Sequence, residues 1–145
     1  MKHITVLFLI SFQLNVYAQN GHVQATAMEK LKQLEGHWQG QGWIQERGDR
    51  SDFRQSENVQ FKLGGTTLLI EGKGYVEDSL IFQAMAIISY DVINKHYRFN
   101  SFLADGKYVE ANGNFNDDGS FYWQFEVPGG GVVKYDIYMT GHYLE

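Results

Sequence analysis

The chain has 145 residues, with 12 Lys and Arg against 17 Asp and Glu, and a formal net charge of −5. That length allows one domain, and the acidic balance excludes the basic surface with which nucleic-acid binders neutralise phosphates. Because the sequence contains no Cys, it has no disulfides and no lipid-anchored cysteine, and its stability must come from a core rich in aromatic residues.

Residues 1–18 have the layout of a cleavable secretory signal. A basic start leads into an apolar stretch from Ile4 to Tyr17, and Val16 and Ala18 occupy the two small-residue positions before cleavage. The stretch is too short and too interrupted by polar residues to be a membrane span. We therefore predict a signal peptide over 1–18 and a single secreted or periplasmic domain over 19–145, without a membrane span in the mature form.

A short helix is predicted over residues 26–35. Met28, Leu31 and Leu34 recur every three residues between charged neighbours, which is typical of a helix with one apolar face. Thr26 and Glu29 have the spacing of a capping box. We expect this helix to pack on, or plug, the end of the strands that follow.

From His37 onward the hydrophobic period changes to two, and turn residues recur about every ten positions, which predicts consecutive strands. Short links make neighbouring strands antiparallel, and closure into a barrel hides the edges of such a meander. The fold class predicted is all-β, an up-and-down barrel of about eight strands with a short N-terminal helix, and a two-sheet sandwich is the alternative. The predicted strands are His37–Glu46, Phe53–Lys62, Thr66–Val76, Leu80–Asp91, Tyr97–Ala104, Lys107–Phe115, Ser120–Val127 and Val132–Thr140.

Strand alternation assigns one face of each strand to the interior. An eight-stranded barrel holds either packed side chains or one small ligand. Small residues at Gly40, Gly42, Ala84 and Ala86 would leave a gap, although a filled core is the alternative. The candidate pocket-lining residues are Trp38, Gln55, Glu57, Phe82, Ala84, Tyr90, Phe99, Trp123 and Tyr135.

The segment from Leu34 to Gly42 carries a Gly-x-Trp motif at the junction of the helix and the first strand. It resembles the opening of the calycin superfamily, and in particular bacterial exported lipocalin-like domains of uncharacterised function. Leu63–Gly65, Leu69–Gly74 and Ser89–Asp91 follow in the same order as in those domains. The resemblance implies a barrel one end of which is closed by Trp38. Such domains continue with further strands, so the barrel either closes with eight strands or lacks its last one or two.

Three functional hypotheses follow from these residues. The first is an exported binding protein that holds a small hydrophobic or amphipathic molecule, with Glu57 orienting the ligand. The second is a barrel enzyme, an isomerase or hydrolase, that uses Glu57 with Arg98 or Tyr135. The third is an interaction protein without a cavity, which binds a partner through an open edge strand or through exposed aromatics at Phe102, Tyr122 and Tyr138.

The presence or absence of a cavity separates these hypotheses. An apolar cavity above roughly 300 Å³ beside Glu57 would favour the first two, and a solid core would exclude both.

No metal-ligand motif or nucleophile elbow occurs, and no cofactor or metal site is predicted. Haem binding through His142 is kept as an alternative because related-looking barrels use a single late His. An unpaired edge strand would also allow a homo-oligomer.

Overall fold

The computed structural model describes residues 21–46, 49–127 and 129–138. Eight antiparallel strands in the order β1 to β8 form one sheet, which curls into a half-barrel. The predicted all-β up-and-down fold is therefore confirmed, and the two-sheet sandwich is wrong. The strands are β1 Gly36–Glu46, β2 Asp49–Lys62, β3 Thr67–Val76, β4 Ser79–Asp91, β5 His96–Leu103, β6 Tyr108–Phe115, β7 Phe121–Val127 and β8 Gly131–Ile137.

The largest difference from the predicted strands is the start of β2. Its pairing with β1 continues to Glu46 and Asp49, so the predicted turn over 47–52 was too long. The first four residues of β2 are all polar, so they show no apolar alternation from which a strand can be recognised. By contrast, the two-residue gap between the predicted strands Tyr97–Ala104 and Lys107–Phe115 is a hairpin turn, in which Gly106 adopts the left-handed φ of +87° that favours glycine.

The sheet is open in the part of the chain that the structure describes. There β1 pairs with β2 and β8 pairs with β7, and the sheet order does not join β1 to β8. The barrel expected from the sequence is thus a half-barrel over these residues. The proposed signal peptide over 1–18 and the residues from Met139 onward lie outside the described residues.

The N-terminal helix fills one end of the half-barrel. Residues 21–29 are α-helical, a segment named α1 here, and a 3₁₀ turn follows at Lys32–Leu34. Met28 and Leu31 are fully buried, and Ala27 accepts a 2.7 Å hydrogen bond from the Tyr97 hydroxyl. The helix predicted to plug the strands therefore does so, through two of the three apolar residues that indicated it.

The predicted start of the helix and its capping box were wrong. The Thr26 hydroxyl donates to the carbonyl of His22, at 2.9 Å, which places Thr26 inside the helix rather than at its cap. Residues 21–25 contribute no apolar repeat, so periodicity alone begins the helix too late. The end was also predicted too late, because the last turn is 3₁₀ rather than α-helical.

The buried core lies at the end of the half-barrel that the helix covers. Tyr97 is 2% exposed, and it meets three other rings edge-on at centroid distances of 5.0, 5.7 and 5.3 Å, those of Tyr90, Phe115 and Phe121. Burial raises the pKa of Tyr97 to about 12. The other core residues are Met28, Leu31, Val59, Leu68, Ala86, Ile88, Phe99 and Ala111.

The buried carboxylate of Asp91 organises the turn between β4 and β5. It accepts hydrogen bonds from the backbone N–H groups of Ile93 and Asn94 and from the Asn94 amide, at 2.9 to 3.0 Å. Arg98 also contacts it. These contacts hold the pKa of Asp91 well below its usual range. The backbone N–H and side-chain amide of Asn94 have the largest effect, and Arg98 has a smaller one.

Leu31→Ala tests the docking of the helix. Because Leu31 is fully buried, the substitution should lower the free energy of unfolding by about 2–5 kcal/mol, measured by urea denaturation. Val23→Ala, on an exposed residue of the same helix, is the control and should change stability by less than about 0.5 kcal/mol. Equal effects of the two substitutions would contradict the docked helix.

Asp91→Asn tests the turn through its pH dependence. The folded-state pKa of Asp91 is lowered, so its stabilising contribution is present above the unfolded-state pKa and is lost as pH falls below it. We expect the variant to be less stable than the parent at pH 7, with the gap narrowing below about pH 4. Urea denaturation of parent and variant at pH 7 and below about pH 4 measures the difference in stability. Asp117→Asn, in the exposed β6–β7 turn, is the control. A gap independent of pH would refute the assignment.

Candidate functional site

Strand register defines an inner face, which is the side of the sheet that carries the core. Directly paired residues of an antiparallel sheet lie on the same side, so the pairing sorts the predicted site residues into cross-strand rows. One row contains Trp38, Glu57, Gly72, Ala84 and Leu103, and the next contains Gly40, Gln55, Gly74 and Phe82. Both rows lie toward the end of the half-barrel away from the helix.

An open groove of about 250 Å³ lies on β1 and β2 at these rows. Gly40 forms its floor, since a Cβ atom added there would meet nothing within 4 Å. Gly42, one step further along β1, is instead covered by Phe53, whose Cζ would lie 2.5 Å from an added Cβ. The groove, named the Gly40 groove here, is lined by Trp38, Gln39, Gly40, Gln41, Gly42, Phe53, Gln55 and Glu57.

Trp38 forms one wall of the Gly40 groove. Its indole N–H donates a 2.8 Å hydrogen bond to the carbonyl of Leu34 in the 3₁₀ turn, and the side chain is 43% exposed. The resemblance to calycins implied that this residue closes one end of the barrel, whereas Met28 and Leu31 are the buried residues at the end that the helix covers. Trp38 is therefore anchored to the helical segment while its ring remains accessible to a ligand.

Glu57 and Gln55 form the polar part of the site. The Gln55 amide donates a 2.7 Å hydrogen bond to Glu57 Oε1, which orients a half-buried carboxylate. Glu57 Oε1 and the Phe82 ring edge lie 3.9 and 3.8 Å from the position of a Cβ on Gly72. Because Gly72 has no side chain, the carboxylate of Glu57 and the ring of Phe82 can both approach the space above it.

Four of the nine predicted residues lie elsewhere on the inner face. Trp123 stacks on Phe99 at 4.3 Å and on Tyr135 at 4.1 Å, although β6 separates Phe99 from Trp123 in the sheet. The inner-face residues of β6 at this level are Ala111 and Gly113, whose small size lets rings from β5 and β7 meet. Tyr90 packs on the buried Tyr97. These four are part of the aromatic packing, whereas Trp38, Gln55, Glu57, Phe82 and Ala84 lie near the groove.

The expected gap is only partly present. Gly40 is open as predicted, but Phe53 fills the space above Gly42, and Ala86 is packed within the core at 6% exposure. At about 250 Å³ the groove falls below the expected cavity, and it is open rather than enclosed. Phe53 is absent from the predicted pocket-lining residues, and its alternation with Gln55 and Glu57 along β2, together with its pairing with Gly42, is the signal that would have included it.

The structure does not assemble the predicted pairing of Glu57 with Arg98. Arg98 pairs with Ser89 and Asn112 on the outer face, and its guanidinium contacts Asp91. Tyr135 shares the inner face with Glu57 but lies on β8, stacked on Trp123. An enzyme built on Glu57 and Arg98 is therefore excluded by their positions on opposite faces.

The residues of the third hypothesis lie apart from the groove. Phe102 and Tyr138 are 47% and 66% exposed. The ammonium nitrogen of Lys134 lies 4.5 Å from the ring centroid of Tyr122. Phe102 belongs to an outer-face row with Met85 and Tyr108.

His142, the candidate haem ligand, lies outside the described residues. Within the described ranges there is no group of three or more His, Cys, Asp or Glu placed to hold a metal ion. The same part of the chain contains no helix of the length and apolarity needed to cross a membrane.

A comparison with protein-family models and with curated proteins finds no match to this sequence. The eight-stranded antiparallel half-barrel is compatible with the calycin superfamily without being specific to it. The resemblance stated from the sequence thus stays a prediction.

A pair of glycine substitutions tests the different surroundings of two inner-face positions. Gly40→Ala places a methyl group in open space and should raise the free energy of unfolding by about 0.5–1 kcal/mol, because glycine destabilises a strand. Gly113→Ala places its Cβ 2.6 Å from the Tyr122 carbonyl and 2.9 Å from the Phe121 ring, and should lower it by about 1–3 kcal/mol. Urea denaturation compares the two, and a destabilised Gly40→Ala would contradict an open groove floor.

Proposed function

We propose that this protein is an exported, lipocalin-like binding protein that holds a small amphipathic molecule on the inner face of its half-barrel. The observation that carries the proposal is the Gly40 groove, which has an open floor between accessible aromatic walls and a carboxylate oriented by Gln55. Small-molecule sites are typically concave and mostly apolar, with a few oriented polar groups. Export to the periplasm or beyond rests on the predicted cleavage near Ala18.

The division of the inner face supports binding rather than mere packing. The helix and the aromatic cluster around Tyr97 fill one end, while the other end has glycine or alanine at three positions of β1, β3 and β4 close to Glu57, namely Gly40, Gly72 and Ala84. Phe82 remains 38% exposed beside them. Aromatic side chains left accessible next to small residues provide apolar surface that a ligand would bury.

Gly40→Val should abolish much of the binding without unfolding the protein. The isopropyl group would occupy the groove floor, so the affinity for the neutral fluorescent probe N-phenyl-1-naphthylamine should fall at least about tenfold, or about 1.4 kcal/mol. Asn112→Val, which adds the same side chain to an exposed outer-face position, is the control. Equal affinities of parent and Gly40→Val, or no saturable binding by the parent, would contradict the proposal.

Native mass spectrometry addresses the identity of the ligand directly. Protein purified from the periplasm of its own host is expected to carry a co-purifying small molecule, and Gly40→Val should lose it.

Self-association through an open edge stays a separate prediction. In the described ranges β1 and β8 each have a single strand neighbour, and such edges offer unpaired backbone groups to another chain. Sedimentation analysis of the full chain, with and without a proline at an outer position of β1, measures whether a second copy pairs there.

A further inference from the structure

The inner face carries a single charge among the residues whose side chains the structure describes. Strand register assigns Glu57 to this face, and the other inner-face strand residues with described side chains are apolar, glycine or uncharged. The same register also assigns Glu46 and Asp49 to this face, at the far end of the β1–β2 hairpin, whereas charged residues such as Glu71 and Arg98 fall on the outer face. A ligand beside Trp38 therefore meets the negative group of Glu57, and no inner-face strand residue supplies a positive one.

No cation of the described residues forms an ion pair with that carboxylate. The six ion pairs among them all join other residues, and the hydrogen-bond donor to Glu57 is the neutral amide of Gln55. A half-buried carboxylate beside apolar rings gains more from a cationic partner than an exposed one does, because screening by water is weaker there.

The aromatic walls of the groove are likewise available to a cation. Among the described residues, a Lys or Arg lies over the rings of Trp43, Phe61, Phe115 and Tyr122, and none of these rings borders the Gly40 groove. Trp38 and Phe53 border it, and the faces of aromatic rings, Trp above all, attract ammonium groups.

We propose that the Gly40 groove receives an organic ammonium group, held between the ring of Trp38 and the carboxylate of Glu57. This inference rests on the proposed binding function and names the chemistry of the ligand. A groove of about 250 Å³ is smaller than a typical site for a whole drug-sized molecule, which suits a headgroup. The apolar remainder of the ligand then lies along Gly72, Ala84 and Phe82.

The same arrangement discriminates against the other charge types. An anionic headgroup would be placed next to the carboxylate of Glu57 without a compensating cation, which disfavours it by repulsion. A neutral hydroxyl headgroup would gain burial and a hydrogen bond to the carboxylate, but it would lack the charge attraction to the carboxylate and to the ring faces. The expected order of affinity is therefore cation, then neutral molecule, then anion.

Calorimetric titration with three ligands of equal chain length, used below their micelle concentrations, tests this order. We expect decyltrimethylammonium to bind at least about tenfold more tightly than 1-decanol, and decanoate to bind most weakly. Glu57→Gln should remove the preference for the cation, by lowering the affinity for decyltrimethylammonium toward that for 1-decanol. Glu71→Gln removes the same charge from the neighbouring strand on the outer face and should leave the preference intact.

Trp38→Leu supplies an independent variant that keeps the carboxylate. It should reduce the affinity for decyltrimethylammonium severalfold more than that for 1-decanol, because leucine offers apolar contact but no π face. Circular dichroism confirms that each variant is folded.

The outcomes separate the two proposals. Equal binding of all three ligands, a preference for decanoate, or a cation preference that survives both Glu57→Gln and Trp38→Leu would overturn the ammonium site while leaving ligand binding in place. If none of the three ligands binds the parent protein, the ammonium site and the binding function fail together.

Discussion

The docking of the helix against one end of an open sheet is the constraint on which the rest of the structure depends. A sheet that curls without pairing its first and last strands leaves an apolar inner face exposed to water, and that face must be covered by another element. Met28 and Leu31 provide the cover at full burial, and the Tyr97 hydroxyl ties the helix to β5. Because one short helix covers only one end, the other end of the inner face remains accessible among the residues that the structure describes.

Side-chain size along the strands follows this division. At the covered end, large residues such as Phe121 and Ile88 are fully buried. Where bulky rings come from β5 and β7, the intervening β6 has Ala111 and Gly113, so that the rings stack over it. At the uncovered end, Phe53 covers Gly42 and Phe82 lies against Gly72, but Gly40 has open space above it.

The electrostatics of the inner face depend on the same geometry. Alternation places most charged strand residues on the outer face, where they form exposed pairs such as Lys134 with Asp136 that contribute little to stability. Glu57 departs from this pattern, and its carboxylate is held by Gln55 at a position where the sheet is least filled. A polar group at such a place has no evident structural role, which is why the binding proposals centre on it.

Much of the fold was predictable because its signals are local. Period-two alternation identified eight strands, and short turns implied the antiparallel order that the sheet shows. Predictions failed where no local signal exists: the polar start of β2 at Asp49, and the first turn of the helix before Thr26.

The sequence by itself determined the approximate positions of the strands and the packing of an apolar helix face on one end, since both follow from hydrophobic periodicity. Only the tertiary structure decided that the described strands form a half-barrel, that Phe53 covers Gly42 while Gly40 stays open, and that Trp123 belongs to the packing rather than to the groove. These outcomes depend on which residues of distant segments meet. The curvature of the sheet and the register between strands determine those contacts, and neither can be predicted from the periodicity of a single strand.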